Sequence, residues 1–112
     1  MQEIKLSKAI HVNGVEVSSL PYDFESMTAM DKIAATRHMT SMGFPASNVE
    51  ELEPVYHLFL FSVAVEVATR GNPGEGPGAS GRVTVQDVLR ISAKDAQKAG
   101  ELARDFFYLS DD

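Results

Sequence analysis

The sequence predicts an α+β fold, mostly helical, in which an N-terminal β-hairpin is followed by about three helices. Three observations carry that expectation. Two short alternating runs flank Asn13-Gly14, an almost wholly apolar run begins at Pro54, and a Ser-x-x-Asp start at Ser92 opens a last run with small residues at helical spacing. At 112 residues the chain is expected to form a single domain over 1–112.

The hairpin is expected over residues 4–20. Ile4 to Ile10, with Val12, makes the first strand, and Val15 to Leu20 the second. Asn-Gly between such runs is a strong hairpin signal, because a type I′ turn needs positive φ at both central residues. Pro21 cannot donate to a ladder, so it marks an edge or a strand end. A lone hairpin buries too little to be stable, and its apolar face must meet the helices that follow.

The first helix is expected over 27–42. Ser26 or Thr28 can cap it, and Thr28-Ala29-Met30-Asp31 is a Thr-x-x-acid start. Gly43 supplies a left-handed stop, with Pro45 just beyond. Its apolar side reads as Met30, Ile33 and Ala34 with the stem of Arg37, while Met27, Met39 and Met42 fall on other faces. Residues 44–53 read as a connector. The second helix is expected over 54–70, with Pro54 at the favoured first position. It is apolar nearly all round, so it is either central or covered by a partner. Glycine and proline crowd residues 71–82, which read as a flexible linker. Val83 to Ile91 reads as a short helical or extended segment. The last helix is expected over 93–109, with its tightest face at Ala96, Ala99, Gly100, Ala103 and Phe107 set against the second helix.

Composition narrows the function. The formal charge is −6, from 16 acids against 10 scattered bases. That argues against a phosphate grip on nucleic acid and against attraction to an anionic membrane. The absence of cysteine removes disulfides, thiolate chemistry and cysteine-based zinc sites. The polar, strand-like N-terminus is unlike a signal peptide. The apolar stretch from Val55 to Ala68 is interrupted by His57, Ser62 and Glu66, and it falls short of the roughly 20 residues of a membrane span. A soluble intracellular protein is the expectation.

No constellation points to catalysis, a cofactor or a metal. Gly76-x-Gly78-x-x-Gly81 has the letters of a dinucleotide fingerprint, but it follows a helix and contains Pro77, so it reads as linker. As a P-loop it fails, because Arg82-Val83 stands where Lys-Ser or Lys-Thr is needed. His11, His38 and His57 form no His-x-x-x-His pair. His57, inside the apolar helix, reads as a core or partner-facing imidazole with a satisfied hydrogen bond. The serines have no nucleophile elbow, and the carboxylate groups at Glu50-Glu51-Glu53 and Asp111-Asp112 fall where water solvates them. Methionine recurs on surfaces that grip apolar partners. Met27, Met30, Met39 and Met42 on the first helix, with Phe59 and Val63 on the second, are therefore the candidate partner-binding residues, the alternative being core filling. Phe106-Phe107-Tyr108-Leu109 poses the same question, since at most two of the four can face the small-residue seam.

Several of these residues together resemble the small tail assembly chaperones of long-tailed bacteriophages and prophages, of the Mu-like tail assembly protein type. The similarity lies in Ile4-Lys5-Leu6-Ser7-Lys8, in Val12-Asn13-Gly14-Val15-Glu16-Val17-Ser18, and in Leu20 with Asp23-Phe24-Glu25-Ser26-Met27-Thr28. A weaker likeness covers Val88-Leu89, Ile91-Ser92-Ala93-Lys94-Asp95 and the closing Phe106-Phe107. The linker is longer than that family leads one to expect. The resemblance implies a non-enzymatic assembly factor of the bacterial host cytoplasm, absent from the mature virion. It would bind the tape measure protein and help recruit tail tube protein; self-association when free is expected separately, from exposed apolar faces. Such chaperones are often made in two lengths by a translational frameshift, and this chain is similar to the short form. The rival expectations are a structural virion protein, such as a tail accessory, and a small helical interaction domain of other function.

Overall fold

Asn13 (φ 53°) and Gly14 (φ 80°) both take left-handed backbone, the conformation a type I′ turn needs. They join β1 (Gln2–Val12) to β2 (Val15–Tyr22) in a two-stranded antiparallel sheet. The computed structural model describes residues 2–44, 54–70 and 81–109. Most of the connector expected at 44–53 and most of the linker expected at 71–82 lie outside the described residues.

The hairpin is longer than its turn and alternation suggest, and it is not regular. Ile10 to Val12 pair with Val17 to Val15, and Gln2 to Lys5 pair with Tyr22 to Ser19. Between these blocks Leu6, Ser7, Lys8 and Ala9 lie opposite Ser18 alone, as a wide bulge. The bulge keeps one face apolar on both strands. β1 buries Ile4, Ile10 and Val12, all of one parity, whereas β2 buries Val17 and then Leu20 and Tyr22, having changed parity at the bulge. Pro21 sits inside β2, opposite Glu3, and is tolerated because each strand of a two-stranded sheet has a free edge.

Helix α1 spans Ala29–Ser41. Thr28 is its cap, and a reciprocal capping box ties the Thr28 side chain to the Asp31 N–H and the Asp31 carboxylate to the Thr28 N–H. Gly43, at φ 93°, turns the chain out, and the Phe44 N–H closes on the Met39 carbonyl at 3.1 Å.

Helix α2 spans Pro54–Thr69, one residue short of expectation, and it is the centre of the fold. It touches α1, β2 and both later helices. Of its aromatic and aliphatic residues Tyr56, Phe59, Leu60, Phe61, Val63, Ala64 and Val65 are buried, which is why it is apolar on every side. The Ala64 carbonyl accepts from the Asp23 N–H at 3.1 Å, fixing the chain as it leaves β2. The Thr69 hydroxyl donates to the Val65 carbonyl and accepts from the Val83 N–H at 2.9 Å, pinning the returning chain to the end of α2.

A single helical turn, α3 (Val85–Val88), follows, with a second capping box between Thr84 and Asp87. It resolves the segment read as helical or extended and adds a fourth helix to the expected three. Helix α4 covers Ala93–Arg104, and the chain then widens into a π-helical turn, Asp105–Leu109. The small-residue face meets α2 as expected: Ala99 and Ala103 are fully buried in that seam. Among the described residues, no helix is long and apolar enough to cross a membrane.

Candidate partner-binding surface

Helix α1 packs on the wrong side for its sequence. It buries Asp31, Ala35 and Met39, whereas the face expected to turn inward points to water. Met30 is 65% exposed, Ile33 47% and Met42 46%, and Phe44 just past the helix end is 43% exposed. The reason lies at the helix start. Asp31 must stay close to Thr28 to complete the capping box, and its other carboxylate oxygen takes the Arg70 guanidinium at 3.1 Å, beside the end of α2. The Arg70 contact lies on the buried side, which Asp31, Ala35 and Met39 share at i, i+4 and i+8. Met30 and Ile33 are left outside.

The six candidate binding residues divide accordingly. Met30 is exposed on α1, Met42 is exposed at its C-cap, and Met27 is half-buried against the core. Met39, Phe59 and Val63 are corrected to core residues: Met39 and Phe59 are 1% exposed and Val63 2%, all enclosed by the packing of α1 on α2. Core filling therefore describes half of that set. Residues missing from it are Ile33, which was read as inward-facing, and Phe44, which was assigned to the connector. Phe44 still touches Phe59, with ring centroids 6.2 Å apart, so the exposed row connects to the core through it.

The C-terminal aromatic cluster mostly closes the fold. Phe24 is its hub: Tyr22, Phe106 and Phe107 lie 5.1 to 5.5 Å away and Phe61 6.3 Å. Tyr108 lies on buried His57, ring centroids 5.6 Å apart, and under the Lys32 ammonium at 5.8 Å. Phe106 and Leu109 remain exposed.

His57 is enclosed in the seam between α2 and α4, next to Tyr56 and Tyr108, consistent with a core imidazole. Among the described residues no group of three His, Asp or Glu is arranged to hold a metal. Of the glycine fingerprint only Gly81, at φ 72°, lies among the described residues.

The strongest polar site was not legible beforehand. Asp95 is buried, and its carboxylate reaches across to the bulge in β1. It accepts from the Ser7 N–H at 2.9 and 3.0 Å, from the Ser7 hydroxyl, from the Lys8 N–H at 3.5 Å and from the Ser92 hydroxyl. The Ser7 and Lys8 N–H groups lie in the bulge, between the paired blocks of β1. Burial alone would raise the Asp95 pKa, but the hydrogen bonds from Ser7, Ser92 and Lys8 outweigh it and hold the carboxyl below the ordinary value. Asp31 behaves likewise: burial raises it, and Thr28 with Arg70 brings it below the ordinary range. Both lowered carboxyls are structural clamps and not proton donors near neutral pH.

No family model, no curated protein and no solved structure matches this chain.

Proposed function

We propose that this chain is a non-enzymatic assembly factor of the tail assembly chaperone type, which binds the tape measure protein and helps recruit tail tube subunits. The observation that supports this reading is the set of exposed apolar side chains along α1, Met30 and Ile33 near its start and Met42 at its C-cap, with Phe44 just beyond. A fold that leaves these residues in water while it buries smaller ones has a surface suited to the apolar stripe of a partner helix. Methionine suits such a surface because its flexible thioether chain adapts to irregular partners. The resemblance in the hairpin and in Asp23-Phe24-Glu25 supplies the identity of that partner, a long helical tape measure chain. An assembly factor of this kind acts in the bacterial cytoplasm and is left out of the virion.

The test is co-purification of the chain with a tape measure fragment. The variant Met30→Asp/Ile33→Asp/Met42→Glu alters only exposed side chains, so it keeps the wild-type circular dichroism and melting transition. It loses the fragment if the reading is right. Retention of the fragment by a folded triple variant removes α1 as the gripping surface. Mass spectrometry of purified particles then separates a chaperone, which is missing, from a tail accessory, which is present.

A further inference from the structure

Where β1 begins and β2 ends, an open cleft of about 480 Å³ lies between the sheet and the C-terminal π-helical turn. Its apolar walls are Tyr22, Phe24 and Phe106, and its polar rim is Asp23, Glu25 and Ser26. Tyr22 and Phe24 are buried, so the walls are anchored in the core. Phe106 stacks on Phe24, centroids 5.1 Å apart and planes 25° from parallel, yet stays 38% exposed where it borders the cleft. Among the described residues no lysine or arginine lines the cleft and neither Asp23 nor Glu25 is in an ion pair; one Asp23 oxygen accepts from the Ser26 N–H at 3.2 Å.

We propose that this cleft takes an arginine side chain from a partner protein, with the guanidinium laid on Phe106 and its N–H groups turned to the Asp23 and Glu25 carboxylates. The cleft combines what that group needs. A planar cation gains from an aromatic face, and its donors match carboxylates in a way that an ammonium cannot. The two carboxylates and the overall charge of −6 repel phosphate, which makes a basic protein segment and not a nucleic acid the complementary partner. This site is separate from the α1 face, so it stands or falls independently of the function proposed above.

The experiment is an NMR titration of the full chain with the blocked peptide acetyl-Gly-Arg-Gly-amide. The matched citrulline peptide, isosteric but neutral, and spermidine serve as comparisons. The expected result is a set of shifts at the Phe24, Glu25 and Ser26 amides and the Phe106 ring, seen with arginine and absent with citrulline. Glu25→Gln, an exposed change that leaves the fold intact, and Phe106→Leu each weaken that binding by roughly two- to fivefold. Equal shifts from the citrulline peptide overturn the proposal. So does arginine binding that Glu25→Gln leaves unchanged, and so does spermidine binding at the same residues with equal strength, since a flexible polyamine has no guanidinium plane.

Discussion

Asp95 shows how one side chain can hold two distant parts of a chain. Its N–H donates to the Ser92 hydroxyl that caps α4, and its carboxylate at the same time accepts from the Ser7 and Lys8 N–H groups in the bulge. Asp95→Ala removes the charge-assisted hydrogen bonds that join α4 to Ser7 and Lys8, which costs roughly 2 kcal/mol; urea unfolding at pH 7 measures it. The pH dependence has a definite sign. A carboxyl whose folded pKa lies below its unfolded value stabilises the fold above the unfolded value, about 3.9 for aspartate. That contribution fades as the pH falls through the lower, folded value. Unfolding free energy measured from pH 6 down to pH 2 should therefore drop most steeply below about pH 4, and Asp95→Asn should flatten the drop. Phe59 belongs to the core and not to a binding face. Phe59→Ala should destabilise the chain by about 3–5 kcal/mol, and a stability near wild type would return Phe59 to the surface.

Among the elements, those with local chemistry were the most legible. Asn13-Gly14 needs only its own two residues to turn, and the starts at Thr28 and Ser92 need only a carboxylate three positions on. The ends of α2 came within one residue because Pro54 and Arg70-Gly71 are local signals. The facing of α1 was illegible for the converse reason. Its apolar residues are spread around the helix, and its contact to the end of α2 runs from Asp31 to Arg70, 39 positions away. The bulge in β1 was partly written in β2, where the apolar parity changes between Val17 and Leu20, but Asp95 lies 88 positions from Ser7 and gave no sequence signal for its partner. In α4 the small-residue seam is real, yet Gly100 is not its tight point. A Cβ added there meets nothing nearer than 3.8 Å, against His57 and the Pro54 carbonyl. Gly100→Ala should therefore fit, and it should raise stability by roughly 0.5–1 kcal/mol by removing helix-interior glycine. A melting temperature below wild type would mean that the seam has no room for a methyl group.

The whole molecule is built around α2, which gives its apolar faces to the hairpin, to α1 and to α4. That arrangement accounts for an almost wholly apolar helix without a partner to cover it. It also moves the candidate surface outward, from the α1–α2 pair to the exposed residues of α1 and of its C-terminal end. The candidate site was thus half legible: methionine content pointed to α1, while the division between core and surface depended on which way the helix was turned. The central claim is that Met30, Ile33 and Met42 hold a partner chain while taking no part in the fold. The most direct measurement is co-purification of a tape measure fragment with the wild-type chain and with Met30→Asp/Ile33→Asp/Met42→Glu, alongside the melting curve of each. The account predicts equal melting temperatures and loss of the fragment from the variant alone; a folded variant that still carries the fragment would contradict it.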